Sequence, residues 1–426
     1  MQTSAQDWNS RDKAHVWHPF TQVSYAPDNI LIERGEGSCF IDEQGNRYID
    51  GISSWWVNLH GHCHPHIIKA VTAQLHQLEH SIFAAFTHKP GIALAEKLLS
   101  HLPGFDKVFF SDNGSTSVEV ALKMTFQYWA NKGTPKTKVI AFKDAYHGDT
   151  FGGMSVAARN AFNKPFEPLL FDVISIDLPI PGNIKHVLQQ MEDALQKEDV
   201  SCFIFEPLVL GASGMLMYSA EHLQQLITLC RKYNCLTIAD EVMTGFGRTG
   251  KFFAIDHLSE RPDIMCMSKG ITGGFFALGA TACKQFIFDA FVSSDKMKTF
   301  FHGHSYTGNP TTCAAALASM ELMEDSATGN NIQRIANSHA AFAAELNGHS
   351  KIEHVRHTGT ILAFDIKTGE TTGYLNNAAE PLAAFFLKRG IILRPLGNVL
   401  YILPPYCITT AELESMYSAV RELLGS

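Results

Sequence analysis

No stretch of this 426-residue chain stays apolar for long enough to cross a bilayer. Its polar opening, Met-Gln-Thr-Ser-Ala-Gln-Asp-Trp-Asn-Ser, lacks the apolar core of an export signal. Basic runs are missing too, and the net charge of −8 argues against nucleic acid as the main partner. The nine cysteines include no Cys-x-x-Cys pair. An odd, scattered set of thiols fits a reducing, cytoplasmic setting and excludes a disulfide framework. Internal repeats and low-complexity segments are absent as well. What is there is 46% apolar and 18% charged, the composition of an ordinary soluble globular protein. The length suggests two or three domains.

From about residue 107 to 285 short apolar segments alternate with helical patterns. Strands are expected at 107–110, 138–142, 171–176, 201–205, 236–239, 263–268 and 277–283. Apolar strands separated by helices indicate an α/β domain with a mostly parallel sheet covered on both faces. The C-terminal part reads differently. A helix over 381–389 ends at Gly390, strands follow at 391–394 and 399–403, and Thr409 and Glu412 form a capping box. Leu413, Met416, Tyr417, Val420 and Leu424 then keep helical spacing. Residues 1–50 carry short strands of their own, at 30–33, 39–41 and 47–49. The expected organisation is a segment 1–55 packing with a small C-terminal α+β domain, 316–426, and a large domain, 56–315, between them.

Two strand ends carry the chemistry. Cys-Leu-Thr-Ile-Ala-Asp-Glu (235–241) ends on Asp240, and Pro-Asp-Ile-Met-Cys-Met-Ser-Lys-Gly (262–270) ends on Lys269. A lysine that forms a Schiff base, with an aspartate to hold a pyridinium nitrogen, is what pyridoxal phosphate (PLP) requires. The cofactor also needs a phosphate cup and a flat surface against its ring. Ser111-Asp-Asn-Gly-Ser-Thr116 supplies the cup: it follows a strand, opens a helix and brings free N–H groups, a glycine and hydroxyls. Tyr146, in Asp-Ala-Tyr-His-Gly-Asp-Thr (144–150), supplies the flat surface. A lone aspartate is more often a turn cap and a lone lysine is usually at the surface. Their pairing on neighbouring strand ends reverses that.

Two patterns suggest other chemistry. Gly245-Phe-Gly-Arg-Thr-Gly250 fits the dinucleotide pattern, but Asp240 and Glu241 separate it from its strand and no clear helix follows. His60-Gly-His-Cys-His-Pro-His66 invites a metal, but its spacing matches no standard site and it reads as a loop entering a helix. Neither nicotinamide nor a metal ion is expected.

Ala239-Asp-Glu-Val-Met-Thr-Gly-Phe-Gly-Arg-Thr-Gly250, Ser268-Lys-Gly, Tyr146-His-Gly and His302-Gly-His-Ser-Tyr-Thr-Gly-Asn-Pro310 resemble the motifs of class III aminotransferases, PLP enzymes of fold type I. Further segments narrow the resemblance to the branch of that family that makes 7,8-diaminopelargonic acid for biotin. These are His15-Val-Trp-His-Pro-Phe20, Gly51-Ile-Ser-Ser-Trp-Trp56, Gln127-Tyr-Trp129 and Arg394-Pro-Leu-Gly with Tyr401 and Pro404-Pro-Tyr406. Together they span nearly the whole chain.

The resemblance implies a role for each matching position. Gly114 and Ser115 would hold the PLP phosphate, Asp240 the pyridine nitrogen and Lys269 the Schiff base. Tyr146 would cover the ring and face substrate. His304 and Ser305 would reach the phosphate of a neighbouring subunit, so a homodimer is implied. Phe20, Trp55, Gly303 and Arg394 would contact substrate, with the Arg394 guanidinium on a carboxylate. Arg248 and Asp149 would stand behind or beside the substrate. Phe20 replaces a tyrosine of many relatives, and His304-Ser305 replaces a Pro-Thr pair of some. Trp55 and Trp56 also fit a dimer interface, and Arg394 a structural ion pair. The implied reaction is a ping-pong transamination that converts 8-amino-7-oxononanoate to 7,8-diaminononanoate. S-adenosylmethionine is the expected donor and lysine the alternative. An ω-aminotransferase with a 2-oxo acid acceptor, or a regulatory protein that merely binds PLP, are the competing readings.

Overall fold

The computed structural model describes residues 5–197 and 199–425; the first four residues of the polar opening lie outside it. Three strands come first: β1 (Ile32–Glu36), β2 (Cys39–Asp42) and β3 (Arg47–Asp50). The middle of the chain supplies β4 (Lys107–Ser111), β5 (Lys138–Phe142), β6 (Val173–Ile176), β7 (Val200–Phe205), the short pair β8 (Val209–Leu210) and β9 (Leu216–Met217), then β10 (Leu236–Asp240), β11 (Ile264–Met267) and β12 (Gly279–Cys283). The last part adds β13 (Ile352–Thr358), β14 (Ile361–Ile366), β15 (Ile391–Ile392) and β16 (Val399–Ile402).

The central sheet has the order β4-β12-β11-β10-β7-β5-β6. It is parallel from β6 through β11, and β12 runs antiparallel to both its neighbours. Every residue of β7, β10, β11 and β12 is buried, because helices cover both faces; this is why these strands read as unbroken apolar runs. The helix Gly114–Asn131 shows how the covering is built. Val118, Ala121, Leu122, Thr125 and Trp129 recur at helical spacing and are buried. The Trp129 indole N–H donates to the Ser201 carbonyl at 3.0 Å, so its one polar atom is satisfied.

This topology fixes where a ligand can sit. In an open parallel sheet the crevice lies beyond the carboxyl ends of the strands. Here β4, β5, β7, β10 and β11 all deliver the residues that follow them to the same edge.

The other sheets differ. β13, β14 and β16 form an antiparallel sheet. β1, β2 and β3 form a meander that β15 joins in parallel, pairing Ile391 with Ile49 and Ile392 with Asp50. Residues from both ends of the chain thus share one sheet. Some element ends depart from expectation. Asp263, expected in β11, lies just before it, and its buried carboxylate pairs with Arg231 and with Lys284, the latter at 3.2 Å. The helix expected at 381–389 runs Ala379–Leu387.

Candidate functional site

Asp240 is the last residue of β10, and Lys269 lies two residues beyond the end of β11. The strands pair Asp240 with Cys266 in register. Both side chains line a cavity of about 680 Å³, together with Gly114, Ser115, Tyr146, His147, Val242 and Ser268.

The helix Gly114–Asn131 begins at one end of this cavity. Asn113 caps it: its side chain accepts the Thr116 N–H at 2.9 Å, and the Thr116 hydroxyl oxygen accepts the Asn113 N–H at 3.1 Å. The N–H groups of Gly114 and Ser115, in the first turn, have no helical acceptor and suit an anion. Glycine is required twice here. A Cβ on Gly114 would stand 2.7 Å from a Val242 methyl, and one on Gly148 would stand 1.8 Å from Ser115 Oγ. Gly148 also has φ +112°, in the region that favours glycine. The close approach lets Ser115 Oγ accept the Asp149 N–H at 3.1 Å.

Asp240 lines the same cavity. It is 4% exposed. Its Oδ2 accepts from His147 Nδ1 at 2.7 Å, and its Oδ1 accepts the Val242 N–H at 3.1 Å. The His147 ring is buried, and its Nε2 has no partner among the described residues. Glu206, just past β7, accepts the N–H groups of Tyr146 and Gly211, each at 3.0 Å. Burial pushes the Glu206 carboxyl up to about 7, against the pull of His147. That anchor holds Tyr146 over the cavity. Burial, with Asp149 adding to it, raises the Tyr146 phenol above its ordinary value, so it stays protonated.

Lys269 takes φ +46°, uncommon for a residue with a side chain. It is accessible through the cavity it lines, and the surrounding protein pushes its amine below the ordinary lysine range; Asp240, Glu206 and Asp149 oppose that shift. A lysine with a lowered pKa is the nucleophile and base that Schiff-base chemistry uses. Its Nζ lies 5.0 Å from the centroid of the Trp56 ring.

A second cavity, about 350 Å³, continues from Lys269 and Tyr146. Its walls are largely aromatic: Phe20, Trp55, Trp56, Phe162, Tyr374 and Tyr401. Phe20 and Trp55 meet edge to face, with centroids 5.5 Å apart. Arg394 lies against them, its guanidinium carbon 4.0 Å from the Trp55 ring and 5.9 Å from Phe20. Among the described residues no carboxylate pairs with Arg394, so it is not a structural ion pair. Trp56 is 5% exposed and donates its indole N–H to Tyr401 Oη at 3.0 Å, so this chain itself buries the side chain.

Gly303, His304 and Ser305 line neither cavity. They sit in a loop where Gly303 and Ser305 are exposed and the His304 N–H donates to Thr307 Oγ1 at 3.0 Å. Asp149 lines both cavities. Arg248 lines neither; it is buried beneath the Trp56 turn, donating to the carbonyls of Pro404 (3.0 Å), Asn58 (3.1 Å) and Trp56 (3.4 Å). The glycines from Gly245 to Gly250 form successive turns with no helix. The loop histidines take separate partners: His60 Ser319, His62 Asp50 and His66 Glu321. Burial pushes the His60 imidazole down to about 3. The sequence motifs contain His147, Val242 and Tyr401 but gave them no role, and Glu206 stood outside every motif. His147 stood next to Tyr146 in the motif, but its partner Asp240 is 93 residues away.

These residues fit PLP: free N–H groups in a glycine cradle, a buried carboxylate, an aromatic ring and a lysine line one cavity. Comparison with known proteins agrees. The class III aminotransferase family matches residues 20–424. The chain is 47% identical to the adenosylmethionine-8-amino-7-oxononanoate aminotransferase of Synechococcus elongatus, covering 96% of this chain and 98% of that one. The crystal structure of the same-named enzyme from Methanocaldococcus jannaschii superimposes with a TM-score of 0.93 at 36% identity, covering 98% of this chain and 99% of that one. The PMP-bound form of an aminotransferase from Vibrio fluvialis superimposes with a TM-score of 0.91 at 26% identity, covering 99% of this chain and 98% of that one. The chain belongs to the class III aminotransferases, PLP-dependent enzymes of fold type I.

Proposed function

We propose that this protein transfers an amino group to 8-amino-7-oxononanoate, giving 7,8-diaminononanoate for biotin synthesis, with S-adenosylmethionine as donor. The observation that carries the reading is the unpaired Arg394 guanidinium in an aromatic cavity that leads from Lys269. A long methylene chain suits the aromatic walls, and a terminal carboxylate suits a planar guanidinium. The relatives that carry this activity in their names support it.

PLP held there would supply an electron sink beside the carbon that bears the amine. The residues of the chain do the rest. The Gly114 and Ser115 N–H groups would hold the PLP phosphate. Asp240, kept in place by His147, would balance a protonated ring nitrogen. Lys269 Nζ takes the proton from the amine-bearing carbon of the donor. In the second half-reaction it delivers one to the carbon that was the acceptor's carbonyl. Phe20, Trp55 and Arg394 orient the acceptor, and Tyr146 closes the cavity over the reacting carbon.

Gly303, His304 and Ser305 are read as serving the cavity of a second copy, in a homodimer. Their exposed loop, outside the cavities of their own chain, supports this. The β3–β15 pairing supports grouping residues 1–55 with 316–426 against a large domain, 56–315. Among the described residues no helix is long and apolar enough to cross a membrane, in keeping with work in the cytoplasm.

The test is direct. Purified protein with PLP, S-adenosylmethionine and 8-amino-7-oxononanoate should yield 7,8-diaminononanoate, detected by mass. Preference for 2-oxoglutarate as acceptor would move the assignment to a general ω-aminotransferase. Lysine replacing S-adenosylmethionine would change the donor alone.

A further inference from the structure

Lys269 has to stay beside the cavity while its amine is free and carrying a proton. Its side chain has four methylenes and many rotamers, so something must hold it. Among the described residues the ammonium has no carboxylate in ion-pair contact. It does have the face of Trp56, 5.0 Å from Nζ to the ring centroid.

The Trp56 ring is itself fixed from several sides. Its indole N–H donates to Tyr401 Oη at 3.0 Å, and the two rings meet edge to face. Its N–H donates to the Ile52 carbonyl at 3.1 Å, and its own carbonyl accepts from the buried Arg248 at 3.4 Å. A Cβ on Gly211 would lie 3.2 Å from the indole Cζ3, so the far edge is backed by backbone. The turn that presents Trp56 is strained: Ser53, Ser54 and Trp56 have φ of +55°, +59° and +67°. Asp50 holds it, accepting the N–H groups of Ile52 at 3.2 Å and Ser54 at 2.6 Å. Strained backbone persists where surrounding contacts over-determine it, and it clusters at functional sites. The strain here places an indole face on the amine.

We propose that Trp56 is a positioning residue for Lys269: its indole face holds the ε-amine at the cavity and stabilises it as the ammonium while it carries the proton. The proposal rests on Lys269 as the proton-transferring group, and not on which substrate is used. The other groups that face Lys269 are the carboxylates Asp240, Glu206 and Asp149, the phenol Tyr146 and the His147 ring. The carboxylates favour the ammonium and the surrounding protein disfavours it. The quadrupole of the indole adds to the carboxylates.

The test titrates Lys269 in the full-length protein freed of cofactor, by the pH dependence of its reductive methylation read from the peptide mass. The other lysines are internal controls. Site-specific fluorotryptophans at position 56 weaken the negative face with little change of shape. The Lys269 midpoint should fall stepwise with each fluorine, and by about 0.5–1 unit in total. Trp56→Phe should fall between wild type and Trp56→Leu. In the holoenzyme the same series should slow the donor half-reaction at saturating donor, while the acceptor KM moves less. A midpoint that stays level along the fluorine series overturns the proposal, as does an effect confined to acceptor KM; Trp56 would then be a cavity wall only. Failure of the substrate assignment would leave the titration unchanged, so the two outcomes are separable.

Discussion

Replacing Arg394 by alanine bears hardest on the substrate assignment. The guanidinium has no carboxylate partner of its own among the described residues and rests on Trp55 at 4.0 Å. Its removal therefore breaks no ion pair within the protein. On the proposed reading, what it removes is the partner of a carboxylate that the acceptor brings into a largely aromatic cavity of about 350 Å³. Leaving one member of a buried charge pair alone costs roughly 2–5 kcal/mol, a fall of roughly 30- to 5,000-fold in kcat/KM for the acceptor. Part of the loss comes from packing, because the Arg394 stem and guanidinium cover Trp55. Arg394→Lys restores the charge without the planar fork, and should recover only part of the activity. Stopped-flow absorbance of the bound cofactor reads the two half-reactions separately. The acceptor half should take nearly all of the loss, and the S-adenosylmethionine half should stay within about threefold of wild type. Equal losses in both halves would contradict the reasoning, and so would normal handling of 8-amino-7-oxononanoate by Arg394→Ala.

Asp240→Asn removes the charge proposed to face the ring nitrogen and should slow single turnover by about 10²–10³-fold; near wild-type single-turnover rates would take Asp240 out of the mechanism. Gly148→Ala sets a Cβ 1.8 Å from Ser115 Oγ at φ +112°, and should weaken PLP binding at least about tenfold in a fluorescence titration. Unchanged affinity would mean the cup does not need that approach. Glu206 sets a pH dependence. Its carboxyl rises from an ordinary 4.5 to about 7, so between those values the folded protein binds more protons than the unfolded chain. Stability should therefore fall as pH rises from about 4.5 to about 7. Glu206→Gln, although it loses one of two acceptors, should flatten that part of a Tm-against-pH curve; parallel curves would show that Glu206 is not the group responsible.

The central strands were legible because burial on both faces leaves nothing polar to break the run, as in Ile264–Met267. The antiparallel pair β13 and β14 was not. Its first strand, Ile-Glu-His-Val-Arg-His-Thr, is charged, and its register shifts between Glu353 and Arg356, so alternation is lost. The helix Pro310–Glu324 is built from small residues buried nearly all round, which blurs its periodicity. At the site, Lys269, Asp240, Gly114 and Ser115 each end or begin an element, and sequence marks such ends well. His147 and Glu206 act through contacts that exist only when the loop after β5 meets the ends of β7 and β10. The burial of Trp56 depends on a turn with three positive φ angles, which its Ser-Ser-Trp-Trp sequence does not announce.

The mechanism turns on Lys269, which lines one cavity with Asp240, Gly114 and Ser115, as the residue proposed to carry PLP. Borohydride reduction of the holoprotein, followed by digestion and peptide mass mapping, tests it most directly. A single modified peptide with PLP fixed to Lys269 is expected, and in Lys269→Ala a protein that binds PLP only reversibly and has lost turnover. PLP fixed to a different lysine, or turnover surviving in Lys269→Ala, would contradict it.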